Sequence, residues 1–161
     1  MEIVWSQAIV AGLVGTALMT LAIFAGRVMG LQTDMVRILG LAFVNEEHKR
    51  QVYGIGLVVH FLFGAVFGVL YAILLTAVGA ATFVGAAAAW GAVFGLLHGV
   101  GVGSMLGALP AVHPRVGAGQ VIESPGLFGR NVGVGMPIGL MLLHVVYGVT
   151  AGVIYSVGVV S

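Results

Sequence analysis

A chain of 161 residues with 60% hydrophobic and only 7% charged side chains, where soluble domains carry about 25% charged residues, excludes an ordinary water-soluble fold. A net charge of +1 is too small to recruit nucleic acid. The absence of cysteine removes disulfides, thiolate metal sites and thiol catalysis.

Four apolar runs, at about 4–29, 52–78, 83–109 and 134–160, are long enough to cross a ~30 Å hydrocarbon layer, which takes roughly 20 helical residues. Alternation at period two is absent, so helices are expected and not a barrel. In the first run Glu2 is acidic where a signal peptide is basic, and the apolar stretch continues well beyond a signal-peptide core. It reads as a retained transmembrane helix. Small residues recur along it at Ala8, Gly12, Thr16 and Thr20. The 30–51 segment follows. Thr33 or Asp34 caps a short helix over about 33–45, apolar through Met35, Ile38, Leu41 and Phe43 and closed by Glu46-Glu47-His48-Lys49-Arg50. A helix lying in the membrane interface fits that pattern.

The second run carries His60, Gly64, Gly68 and Tyr71; the fourth repeats the spacing in His144, Gly148, Gly152 and Tyr155. Offsets of 4, 8 and 11 residues fall within one ~80° stripe of a helix. His60 and His144 lie 84 residues apart, which suggests duplication of a two-helix unit, although runs one and three do not align. Only a few residues around 79–82 join the second and third runs, so a tight antiparallel hairpin is expected. The third run holds a ladder of Gly91, Gly95, Gly99, Gly103 and Gly107, with His98 beside it. Such spacing lets helices pack backbone to backbone. The 110–133 segment, with Pro110, Pro114 and Ser124-Pro125-Gly126, reads as an irregular surface loop.

The six basic residues, Arg27, Arg37, Lys49, Arg50, Arg115 and Arg130, gather at one set of helix ends. The positive-inside rule then places segments 30–51 and 110–133 in the cytoplasm and both termini outside. The expected architecture is all-α: an integral membrane bundle of four transmembrane helices plus one interfacial helix, forming a single domain over 1–161.

An ionisable side chain at bilayer depth is a functional-site candidate. At about 1.5 Å per residue, His60, His98 and His144 lie ~12, ~16 and ~15 Å from the basic ends of their runs, with Met19 of the first run at the same level. Three readings suit that layer. Haem b, or a chlorophyll, would take His60 and His144 as axial ligands across the core, with Gly64, Gly68, Gly148 and Gly152 making room for the macrocycle. Copper would take the imidazoles with Met19 as an extra ligand. A proton relay would use the histidines alone. Against these stands the plain alternative that each imidazole donates to a carbonyl of a neighbouring helix. His48 and His113 read as ordinary surface residues. Gly117-Ala118-Gly119 and Val132-Gly133-Val134-Gly135 lack the strand–turn–helix context of phosphate loops; Ser104, Ser124 and Ser156 lack a paired acid, and Glu123 stands alone.

Gly15-Thr16-Ala17-Leu18-Met19-Thr20, Met29-Gly30-Leu31 with Asp34 and Leu39-Gly40, His60-Phe61 with Gly64, Gly68 and Tyr71-Ala72, Pro125-Gly126-Leu127-Phe128-Gly129, and His144 with Tyr147-Gly148, Gly152 and Tyr155 form a pattern over most of the chain. It resembles a broad group of small uncharacterised four-helix membrane proteins of prokaryotes. His98 stands outside the shared pattern. The resemblance implies the fold and a prokaryotic inner (cytoplasmic) membrane; it implies no activity. The runs leave almost no extramembrane domain to act alone, and the glycine faces suit contact with other helices. The first functional expectation is therefore a non-catalytic accessory or scaffold subunit of a larger membrane complex of electron transfer, whose partners are the lipid bilayer and other membrane-protein subunits. The second is a tetrapyrrole-binding redox or pigment protein, and the third a small-molecule or proton transporter.

Overall fold

Where nearly every side chain is apolar, the face that a helix buries is chosen by size, since small residues admit the closest approach. The computed structural model describes residues 2–28, 35–119 and 124–161. Its long helices are α1 (Trp5–Val28), α3 (Lys49–Ala77), α4 (Val84–Val112) and α6 (Met136–Val160), each long and apolar enough to cross a membrane. The short helices are α2 (Met35–Leu41) and α5 (Pro114–Gly117). Among the described residues there is no strand. The proposed cap at Thr33 or Asp34, the Met29-Gly30-Leu31 stretch and Glu123 lie outside the described residues.

The helix ends follow local chemistry. After α3, Gly79 takes a left-handed φ of 71°; its N–H reaches the Thr76 carbonyl at 3.1 Å and that of Ala80 reaches Leu75 at 2.8 Å. This is a Schellman stop, which needs a residue without a Cβ at its left-handed position. Pro137 enters the first turn of α6, where a missing N–H costs nothing. Instead of ending at 109, α4 runs through Pro110 to Val112. Proline so near the end deprives only one carbonyl of its donor, and the Leu109 carbonyl still receives the His113 N–H at 2.8 Å.

The helices pack in the order α3–α1–α6–α4 around the core, with α3 and α6 diagonal to each other. The expected tight hairpin of α3 on α4 is not formed. The two are joined by a short turn, yet they meet only lightly, whereas α3 packs along α1 and α4 along α6. The cause is which face holds the glycines. A Cβ on Gly12 would lie 2.8 Å from Gly68 Cα, and one on Gly64 would lie 2.8 Å from Thr16 Cβ. A Cβ on Gly91 would lie 2.9 Å from the Gly148 carbonyl carbon, and one on Gly152 would lie 3.0 Å from that of Ala87. The α1–α3 and α4–α6 pairs are thus built alike, each joined backbone to backbone. Between α3 and α4 there are large side chains instead, with Phe67 stacked on His98.

Glycine also seats α2. A Cβ on Gly40 would meet Val52 Cα at 3.0 Å, and one on Gly56 would meet the Val36 carbonyl carbon at 2.9 Å, so α2 lies against α3 with Val36 and Leu41 fully buried. Arg37 and Glu46 form an ion pair beside it. The 110–133 connection is more than a surface loop. Its 3₁₀ turn, Leu127–Gly129, pushes Phe128 against Gly103, whose added Cβ would meet the ring at 2.6 Å. Phe128 holds a φ of +55°, a strained setting for an aromatic residue kept by that insertion. His113, expected on the surface, is buried at 8% exposure and accepts the Val116 N–H on Nδ1 at 3.3 Å, capping the turn into α5. His48 is exposed, as expected.

Outward faces remain apolar: Val58, Leu62 and Val66 on α3 and Leu97 on α4 are each more than half exposed. Continuous apolar surface of this kind marks a membrane or protein contact.

The backbone contacts separate two classes of glycine. Gly91→Val should force α4 from α6 and destabilise the bundle by about 2–3 kcal/mol, the scale of an overpacked core. Gly101→Ala, with nothing within 4 Å of its added Cβ, should leave the melting temperature in detergent unchanged or raise it, since alanine is the better helix former by up to ~1 kcal/mol. Thermal unfolding of the two variants followed by circular dichroism checks both.

Candidate functional site

The four long helices do not fill the space between them. A cavity of about 270 Å³ lies inside the bundle toward the end that carries α2. From α1 it takes Thr16 and Met19, from α3 His60 and Phe67, from α4 His98 and Met105, and from α6 His144 and Tyr147. Met35 and Ile38 of α2 close it at the basic end. No Asp, Glu, Lys or Arg lines it among the described residues.

The structure brings all three expected histidines to this cavity, each for a local reason. His60 and His144 fall on the small-residue stripes of α3 and α6 and are buried with them. His98 lies beside the glycine ladder, not on it, so it faces the slot between α4 and α3. There its ring stacks on Phe67 at 3.8 Å between centroids and meets the His144 ring edge-on at 4.7 Å. Tyr71 and Tyr147 complete the cluster, their rings perpendicular at 5.4 Å.

Hydrogen bonding distinguishes the imidazoles. His144 Nδ1–H donates to the Leu140 carbonyl at 2.7 Å, one turn back on its own helix. Because a carbonyl only accepts, this fixes the proton on Nδ1 and leaves Nε2 as an acceptor. His60 Nε2 and His98 Nδ1 are buried with no hydrogen-bond partner, as is the Tyr71 hydroxyl. An unpaired polar atom removed from water costs about 1–3 kcal/mol, so two such imidazoles beside one cavity call for an explanation. The expected carbonyl on a neighbouring helix is not what either histidine finds.

The remaining expected residues take other roles. Gly64, Gly68, Gly148 and Gly152 make room for neighbouring helices; of these only Gly64 also touches the cavity. On the α4 ladder, Gly91 and Gly95 meet the α6 backbone, Gly99 the Met141 side chain, Gly103 Phe128 and Gly107 Leu127. Met19 lines the wall, yet no group of three or more His, Asp or Glu in a metal-holding arrangement occurs among the described residues. His98 and His144 stand too close for a macrocycle to pass between them.

Tyr147 is a site residue that sequence reasoning left aside. Its hydroxyl crosses the core to donate to the Gly64 carbonyl at 2.7 Å, tying α6 to α3. The signal was present: Tyr147 follows His144 by three residues, on the same face of the helix.

Tyr147→Phe removes that cross-bundle bond while keeping the ring. It should cost about 1 kcal/mol and lower the melting temperature measurably in detergent, with the helical circular dichroism signal unchanged. No protein-family model, curated protein or solved structure matches the chain.

Proposed function

We propose that the chain is a multi-pass protein of a prokaryotic cytoplasmic membrane, with both termini outside and the α2-bearing end in the cytoplasm. It is non-enzymatic and serves as the subunit of a larger membrane assembly that holds a lipophilic molecule inside its bundle. One observation carries the ligand-holding part: four helices surround an apolar cavity of about 270 Å³, open on its α3–α4 side, whose polar lining includes three imidazoles, two of them with an unpartnered nitrogen. Apolar cavities with a few convergent polar groups are the usual form of a ligand site. The same cavity supports the second expectation, a tetrapyrrole between His60 and His144, less well. Its volume of about 270 Å³ falls just below the ~300–1,000 Å³ of typical ligand sites.

A scaffold subunit with no ligand is the competing reading, favoured by the His144–Leu140 bond, which satisfies one imidazole within its own helix. Glycine faces lend it less support than the sequence offered, because the Gly64, Gly68, Gly91 and Gly148 faces are used within the chain. Transport finds no broken helix at mid-depth among the described residues, the feature on which many transporter sites are built.

Native protein purified in detergent should release a lipophilic molecule at near one-to-one stoichiometry when extracted with organic solvent and analysed by mass spectrometry. A visible spectrum before and after dithionite reads the class directly, since a Soret band that sharpens on reduction identifies haem. An extract containing only bulk lipid would leave the scaffold reading in place.

A further inference from the structure

The contents of the cavity can be narrowed, resting on the ligand-holding reading above. Its polar groups are all uncharged hydrogen-bonding groups: imidazoles and the hydroxyls of Thr16 and Tyr147. The two hydroxyls are already committed within the protein, Thr16 to the Gly12 carbonyl and Tyr147 to the Gly64 carbonyl. What remains for a guest is the imidazoles. His60 is nine-tenths buried and lines the cavity with a ring nitrogen unpartnered; His98, a half-buried residue of α4, also lines it and has its Nδ1 unpartnered. A neutral imidazole offers one donor and one acceptor. A guest with two carbonyl oxygens on a ring could accept from both. His144, with its proton held by Leu140, presents an acceptor and suits the hydroxyl of the reduced form of such a ring.

Shape points the same way. The cavity volume suits one or two fused rings, and the Phe67–His98 stack and the perpendicular tyrosines form flat walls. The cavity also has a side opening. Phe63 and Met105 both line it, yet they are 51% and 63% exposed. They flank the slot where α3 and α4 meet only lightly, on the basic side of the Phe67–His98 stack. Outside that slot lie the apolar Leu62 and Val66, so the opening faces the hydrocarbon layer and not water. A guest that fits has a polar ring of small area and a long apolar tail.

We infer that the cavity binds an isoprenoid quinone, its ring carbonyls accepting from His60 and His98 and its tail leaving between Phe63 and Met105 into the bilayer.

The test uses the full chain in phosphatidylcholine nanodiscs, titrated with a short-tailed ubiquinone and a short-tailed menaquinone. An isoprenoid alcohol of matching tail length serves as the carbonyl-free control. Saturable binding of at least one quinone, at least tenfold tighter than the alcohol, is expected, and His60→Phe should weaken it about tenfold, the loss of one hydrogen bond. Because His60→Phe alters a buried position, Met105→Trp provides a second reading. Quinones quench indole emission on contact, so the emission of the new tryptophan should fall with the same affinity. Quinones that bind no better than the alcohol, or that bind without quenching Trp at position 105, overturn the inference. If quinones fail while the native extract still yields another lipophilic molecule at one-to-one stoichiometry, the quinone is wrong and the ligand-holding reading survives. If that extract is also bare, both fall.

Discussion

The architecture depends on backbone meeting backbone at a few glycines. Where Gly12 faces Gly64 and Gly68, and where Gly91 faces Gly148 and Gly152, a single methyl group would collide with main chain. Contact at this range gains dispersion along the whole seam and admits Cα–H···O contacts that longer side chains would prevent. It requires little of the hydrophobic effect, which lipid would weaken between helices. Two such glycine seams, α1–α3 and α4–α6, are joined by packing of α1 along α6 that is as extensive as that of α1 along α3.

The cavity is a consequence of that economy. Close seams use up the small residues, so the faces left over carry the bulky ones. Two tightly zipped pairs brought together through α1–α6 contact and the Tyr147–Gly64 bond cannot also close at α3–α4. Phe67 and His98 bridge that side where they stack; below them the interior stays open. An imidazole in such a position keeps its hydrogen-bonding capacity because no partner is near enough to take it, as at His60 Nε2 and His98 Nδ1.

Much of this was legible from residue spacing. The four-residue recurrence of His60, Gly64 and Gly68, and of His144, Gly148 and Gly152, marks the faces that the structure buries, because side-chain size is periodic whether or not polarity is. Spacing does not name the helix that a face meets. Nearness in sequence suggested that α3 would lie along α4, whereas the complementary glycines sit on α1 and α6. Nor does spacing show what a small residue makes room for: Gly103 accepts a phenylalanine from a loop, and a loop's return path has no period to read. His113 was misplaced for the same reason, its burial arising from the turn after α4 and not from any pattern within a helix.

The floor of the cavity is fastened to only one of its walls. Gly40 and Gly56 seat α2 on α3 at main-chain distance, while only its side chains, Met35 and Ile38, reach across to the Leu106, Met136 and Leu140 cluster. α2 and α3 are therefore joined at main-chain distance, as α1 and α3 are. The edge of α2 along α4 and α6 is joined through apolar side chains alone. The base of the cavity is thus held by backbone contact on one side and by side chains on the other, so substitutions along the α4–α6 edge reshape the interior without unseating α2.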